Sequence, residues 1–190
     1  MTRSANPYQV AQKTFLSIRK ALQLPDAAKW REAIDIEYNK LVDASTWREP
    51  TPEELKSLQS LPIGILLNKK RDGTYKCRAV ALGNFLDKTG LDLFAPTLSM
   101  VSHRLMLVAA ARAGDYMICF DIDAAFLNAY VDIDILISLP AEFAKPGETR
   151  VKKLVKALYG LPQSPKAWFQ HYASGLKTLG WEQCINEAAM

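Results

Sequence analysis

The sequence predicts an α+β fold, on three observations. Apolar residues recur at helical spacing near the N-terminus, a hairpin signal with basic residues around its turn follows, and short strand-like runs then mix with helical ones up to a final amphipathic helix. Residues 1–13 read as a tail and 14–190 as one folded unit. Phe15, Ile18 and Leu22, then Trp30, Ile34, Tyr38 and Leu41, predict two helices on either side of Pro25-Asp26. Thr51-Pro52-Glu53-Glu54 joins a cap residue, a proline at the first helical position and a glutamate three residues after the cap, so a third short helix starts there and is expected to end near Ser60-Leu61-Pro62.

Ile63 to Leu67 and Thr74 to Leu82 are strand-like runs joined through Asp72-Gly73, a pair that tolerates the positive φ of a hairpin turn. Ser102 is the expected cap of an apolar helix through Leu105, Leu107, Val108 and Ala111, stopped by Gly114. Tyr116 to Phe120 reads as a buried strand ending at Asp121. Ile135 to Leu139 and Val151 to Val155 read as further strands. Pro165 opens a last helix with Trp168, Tyr172, Leu176 and Leu179 on one face and Gly180 beyond its end.

Composition narrows the classes. With 190 residues, 49% of them hydrophobic, the chain can bury a core, which argues against disorder. The net charge of +4 permits a polyanionic partner without requiring one. Cys77, Cys119 and Cys184 are odd in number, far apart and without histidines nearby, so neither a disulfide framework nor a zinc site is indicated and a reducing, intracellular setting is expected, cytoplasmic or nuclear. No run reaches the roughly 18 apolar residues of a membrane span, so no membrane partner is expected. The opening segment, with Arg3, Lys13, Arg19 and Lys20 before the first acid at Asp26, has only a faint organelle-transit composition.

Three segments can carry chemistry, and each has a plainer reading beside it. Asp121 and Asp123 follow an apolar run directly, a place where a carboxylate can be held rigidly for a hard divalent cation, or where it simply caps a turn. Leu158-Tyr159-Gly160-Leu161-Pro162-Gln163-Ser164-Pro165 feeds a helix N-terminus that can meet a phosphate or a base edge, or is an ordinary start capped by Ser164. Lys69, Lys70, Arg71, Lys76 and Arg78 on the hairpin can close on a triphosphate, or protect an edge strand from aggregation. His103 and His171 lie in helical patterns without serine or cysteine partners and read as structural.

Taken in order, these segments resemble the reverse transcriptase domain of copia-type retrotransposons, from about Thr14 to near the C-terminus. The resemblance is carried by Pro25 to Ala33 with Glu37 and Thr46-Trp47, Arg71-Asp72-Gly73 with Tyr75 to Gly83, Phe94-Ala95-Pro96-Thr97, Phe120-Asp121-Ile122 with Ala125 to Asn128, and Leu158 to Trp168. It implies an incomplete right-hand polymerase, the fingers plus the first part of the palm, that extends a primer on an RNA or DNA template with dNTPs and Mg2+. Under it Asp121 is the first catalytic, metal-binding aspartate and the Ile122 carbonyl helps hold the nucleotide-side ion. Lys69, Lys70 and Arg78 grip the triphosphate, Phe126 excludes a ribose 2′-hydroxyl, and Gly160, Gln163 and Ser164 line the nucleotide and template pocket.

The sequence also departs from the family. Pro162 stands where lysine is usual, Ile65 to Leu67 lack a tryptophan, and no Asp-Asp pair occurs, so the Tyr-x-Asp-Asp turn that completes the metal site, its strand pair and the thumb are missing. Glu187 falls where the family has an ordinary residue. The expectation is therefore a truncated copy of an RNA-directed DNA polymerase, inactive on its own, with the remainder of a polyprotein as a candidate partner. The alternative is a non-catalytic nucleic-acid-binding or assembly remnant, and a degraded copy exposing an apolar face is a third reading.

Overall fold

The computed structural model describes residues 17–183. Phe15, Cys184 and Glu187 lie outside the described residues. A short helix α1 (Ile18–Ala21) leads into α2 (Ala27–Asp43), then β1 (Trp47–Arg48), α3 (Pro52–Ser57) and the hairpin β2 (Ser60–Lys69) and β3 (Tyr75–Ala81). After a one-turn 3-10 helix at Gly83–Phe85 come α4 (Met100–Ala113), a second 3-10 turn at Ala125–Asn128, β4 (Leu136–Ser138), β5 (Val151–Leu154) and α5 (Ser164–Thr178). The five strands form one mixed sheet in the order β1-β5-β4-β2-β3, so the mixed α and β content predicted from the sequence is found.

Strand β2 holds the sheet together because its two halves pair differently. Ser60 to Pro62 run parallel to β4, whereas Ile63 to Lys69 run antiparallel to β3. The expectation that the third helix lasts to Ser60-Leu61-Pro62 is therefore corrected: α3 ends at Ser57 and those three residues open β2. Its start is as predicted, with a reciprocal cap between Thr51 and Glu54.

Helix α2 packs on β3 and buries Trp30, Ala33, Ile34, Tyr38 and Leu41, the face predicted from their spacing. Trp30 meets Tyr75 edge to face at 4.6 Å, and the Tyr75 hydroxyl donates to Asp26. On β5, Lys152 is buried and paired with Glu148 and Glu49, and the Tyr38 hydroxyl of α2 donates to the same Glu148 at 2.6 Å. Burial, and then that bond to Glu148, push the Tyr38 hydroxyl pKa well above its ordinary value.

The hairpin matches its signal, with a five-residue connection from Lys70 to Thr74. Within that connection only Gly73 has positive φ, and Asp72 accepts the Thr74 N–H through its side chain. Three other expectations change. The cap of α4 is Ser99, whose hydroxyl takes the Ser102 N–H at 3.0 Å, so Ser102 lies inside the helix; Gly114 ends it in the left-handed region, as expected. Helix α5 starts at Ser164, with Gln163 at the cap position, because the Ser164 hydroxyl is used elsewhere.

The third change is the larger. Tyr116 to Phe120 is not a buried strand: Tyr116 is 98% exposed and Phe120 74% exposed, and the run pairs with no strand among the described residues. An apolar run becomes a strand only where a ladder partner takes its N–H and C=O groups, and the sheet ends at β3 on one side and β1 on the other. Helix α4 likewise buries none of its residues. No helix among the described residues is long and apolar enough to cross a membrane.

Candidate nucleotide-binding cleft

The sheet edge positions the site. Alternation along β3 turns Cys77, Ala79 and Ala81 into the core and leaves Lys76 and Arg78 exposed. As the outer strand, β3 carries N–H groups with no ladder partner among the described residues, and two of them are taken by other segments. The Ala79 N–H donates to the Glu37 carboxylate of α2 at 2.9 Å, and the Ala81 N–H donates to the Tyr159 carbonyl at 2.7 Å.

The second of these contacts depends on two glycines. Gly160 has φ +88, and a Cβ placed on it would lie 2.1 Å from the Ala81 carbonyl oxygen; one placed on Gly83 would lie 2.4 Å from the Gly160 carbonyl oxygen. Two backbones thus meet where no side chain fits. The same turn is closed from below by Ser164, whose buried hydroxyl donates to the Leu158 carbonyl at 2.6 Å and accepts the Leu158 N–H.

Between these elements lies a cleft of about 200 Å³ lined by Glu37, Lys40, Lys76, Arg78, Asp121, Ile122, Asp123 and Tyr159, among others. That is below the roughly 300–1,000 Å³ of small-molecule sites, so the cleft by itself is too small to enclose a whole nucleoside triphosphate. The Arg78 guanidinium lies 5.8 Å from the Tyr159 ring centroid, and Phe126 packs its ring against Tyr159 at 4.9 Å. Lys40 bonds Asp123 at 3.2 Å, and this hydrogen bond with the lysine charge holds the Asp123 carboxyl below its usual pKa. Burial pushes the Glu37 carboxyl up, a rise only partly offset by the Ala79 N–H and by Lys40, Arg78 and Lys76.

The expected site residues distribute unevenly. Asp121, Ile122 and Arg78 share the cleft, with Phe126 and Gly160 at its border. Lys69 and Lys70 do not line it. Lys69 sits over the Tyr75 ring at 4.7 Å, and Lys70 belongs to the hairpin connection, where its N–H bonds the Thr74 carbonyl. Gln163 is buried with neither amide atom hydrogen-bonded to protein, and Ser164 ties the turn together. Glu37, Lys40, Lys76 and Tyr159 complete the cleft. The sequence marks Lys76 only as one of several hairpin cations and Tyr159 only as part of a turn, and it gives Glu37 and Lys40 no place there, because nothing in the spacing of α2 shows which of its polar residues faces the edge of β3.

Among the described residues no three His, Cys, Asp or Glu side chains gather to hold a metal ion. Asp121 is exposed, and Asp123 is committed to Lys40. Divalent ions beside a triphosphate require several anionic oxygens, so these residues alone do not fit a two-ion centre.

The α+β fold thus sets the basic outer strand of a mixed sheet across a narrow cleft from a carboxylate-bearing segment. Residues 55–190 match the model of the family described as reverse transcriptase (RNA-dependent DNA polymerase). The chain belongs to that family, as a copia-type domain. It is 30% identical over 181 residues to the retrovirus-related Pol polyprotein from transposon RE1 of Arabidopsis thaliana, covering 90% of this chain and 12% of that protein. It is 30% identical over 171 residues to the corresponding polyprotein from transposon TNT 1-94 of Nicotiana tabacum, covering 85% of this chain and 13% of that one. The truncated transposon Ty1-A Gag-Pol polyprotein of Saccharomyces cerevisiae is 27% identical over 188 residues, covering 95% of this chain and 16% of its own length. The chain thus spans less than a fifth of each of these relatives. No solved structure matches it.

Proposed function

We propose that this chain supplies the fingers and the first part of the palm of a copia-type reverse transcriptase, and that its cleft is the nucleotide-facing wall of the polymerase site. One observation carries the reading: Arg78 and Lys76, fixed on the sheet edge, face Asp121 across a space bordered by Phe126 and the Gly160 turn. In this reading Arg78 and Lys76 bind the triphosphate of a dNTP, with Arg78 oriented by the Tyr159 ring, and Phe126 lies against the sugar. Asp121 and the Ile122 carbonyl contribute this chain's share of the ligands for Mg2+, the metal of the family reaction. The remaining metal ligands come from other parts of a Pol polyprotein, and the primer and template are the nucleic acids bound by the assembled site. Lys69 and Lys70, at the far end of the hairpin, are assigned to the template or to the outer phosphates.

The experiment has two arms. Residues 1–190 alone are expected to give no Mg2+-dependent primer extension. In a full Pol product carrying this segment, Asp121→Asn is expected to lower extension at least about a thousandfold, because a metal-binding carboxylate has no neutral substitute. Extension that survives Asp121→Asn in the full product refutes the assignment of the cleft.

A second reading has an observation of its own, the incomplete donor set for metal among the described residues. It makes the segment a non-catalytic nucleic-acid-binding module working through the hairpin. Binding of template–primer would then fall steeply as salt rises and would be weakened by replacing Lys69, Lys70 and Arg78 together, with Asp121→Asn neutral.

A further inference from the structure

Two carboxylates of the cleft have no task in the polymerase reading, Asp123, which is tied to Lys40, and Glu37. Glu37 projects from α2, which belongs neither to the hairpin nor to the segment carrying Asp121. It is half-buried beside Lys40, Lys76 and Arg78, where an anion competing with a triphosphate is the last thing a phosphate site needs. Its hydrogen bond is with backbone: the carboxylate accepts the Ala79 N–H at 2.9 Å.

That contact lies where β3 is least supported. On one side β3 is bonded along its length to β2; on the other no strand stands beside it among the described residues. The bond from Ala81 to Tyr159 fixes its end, and the bond from Ala79 to Glu37 fixes the residue next to Arg78. Lys76 and Arg78 stand out on the same alternation that points Ala79 inward, so a twist of the strand at Ala79 re-aims both cations.

We propose that Glu37 is a positioning residue for the phosphate-binding cations: by holding the outer edge of β3 at Ala79 it sets the direction of Lys76 and Arg78 into the cleft. The proposal rests on the reading of that cleft as a triphosphate site. Its signature is that the acceptor at residue 37 aids anion binding although the charge at residue 37 opposes it. A residue that served only as a counter-charge would show the charge effect alone.

Charge-matched pairs separate the two effects. Inorganic tripolyphosphate, without metal, is titrated calorimetrically into residues 1–190 of the wild type, Glu37→Asp, Glu37→Gln and Glu37→Ala, with the exchange rate of the Ala79 amide followed in parallel. Aspartate keeps the charge but is one methylene too short to reach, and glutamine keeps the acceptor but loses the charge. Glu37→Asp is expected to bind about three- to tenfold more weakly than wild type, and Glu37→Ala to bind weaker than Glu37→Gln by the same factor, the range of one lost hydrogen bond. Glu37→Gln is expected to bind at least as tightly as wild type, with the Ala79 amide still protected.

Equal binding within either matched pair, with Ala79 exchanging faster, overturns the proposal and leaves Glu37 a structural residue; if Glu37→Ala does not fold, the Glu37→Asp comparison decides alone. Failure of the wild type to bind tripolyphosphate at all is a different result. It removes the triphosphate reading of the cleft, and the positioning role falls with it.

Discussion

The contact between β3 and the turn at Gly160 can be tested with three glycine-to-alanine substitutions that divide its energy. Gly73 has φ +84, and a methyl group added there would meet nothing within 4 Å, so Gly73→Ala carries only the cost of left-handed backbone, about 1–2 kcal/mol. No positive φ is found at Gly83, but its methyl group would sit 2.4 Å from the Gly160 carbonyl oxygen and 2.7 Å from the Pro162 ring. Neither obstacle is the end of a flexible side chain, so Gly83→Ala carries an overpacking cost of about 1–3 kcal/mol. Gly160 combines both, with φ +88 and a methyl group 2.1 Å from the Ala81 carbonyl oxygen. Relief there also stretches the bond from the Ala81 N–H to the Tyr159 carbonyl, so the sum comes to about 2.5–6.5 kcal/mol. Urea unfolding of the three variants should rank them Gly160→Ala as the least stable, with Gly73→Ala and Gly83→Ala each costing clearly less. Gly160→Ala as mild as Gly73→Ala would refute the close approach, because the two share the backbone cost and differ only in what surrounds the methyl group.

Three further outcomes follow from other parts of the fold. Lys152→Met should destabilise the chain by about 2–4 kcal/mol in urea unfolding, because it leaves Glu148 without its buried cation; a change under about 0.5 kcal/mol would mean that the pairing contributes nothing net. The Glu54 carboxyl is held down to about 2 by its hydrogen bonds with Arg48 and then the Thr51 N–H. Its folded pKa lies below the ordinary 4.5, so the cap on α3 is fully present above pH 4.5 and is lost as pH falls toward 2. The carboxyl resonance of Glu54 should titrate with a midpoint near 2, and a midpoint near 4.5 would count against the cap. Burial pushes the Cys77 thiol up to about 12, whereas Cys119 is exposed, so iodoacetamide at pH 8 should modify the Cys119 peptide rapidly and the Cys77 peptide only after unfolding. Equal labelling of the two would contradict the burial of Cys77.

Much of the fold was legible because local rules and tertiary contacts agree. The spacing of Trp30, Ile34, Tyr38 and Leu41 is also the buried face of α2, and Asp72-Gly73 is also the turn of the hairpin. Legibility failed where a residue's partner is distant in space from its local pattern. Ser164 has every local mark of a cap, yet its hydroxyl closes on Leu158. Tyr116 to Phe120 has the composition of a central strand, but a strand is defined by its neighbour, and none stands beside it among the described residues. In the site, Asp121 and Arg78 were readable as chemistry-bearing types, whereas Glu37 and Lys40 look like any solvent-facing residues of a helix until β3 is laid against them.

The two walls of the cleft are supported very differently, and this has a functional consequence. The cationic wall rests on a seven-residue ladder, on backbone bonds at Ala79 and Ala81, and on a glycine contact that tolerates no extra atom. The acidic wall follows an apolar run that pairs with no strand among the described residues, and it is tied across the cleft by Lys40 and Asp123, a pair whose side chains are 36% and 93% exposed. Exposed pairs of this kind are screened by solvent and hold a segment only weakly, whereas a metal centre needs its ligands fixed to about half an ångström. On the proposed reading, phosphate recognition rests on the firmly held wall and the metal ligand Asp121 on the loosely held one. The difference is testable: tripolyphosphate should bind residues 1–190 with the same affinity in the presence of Mg2+ and in EDTA, once chelation of the metal by free tripolyphosphate is subtracted. A marked gain with Mg2+ that Asp121→Asn removes would show instead that the acidic wall is already organised without further partners.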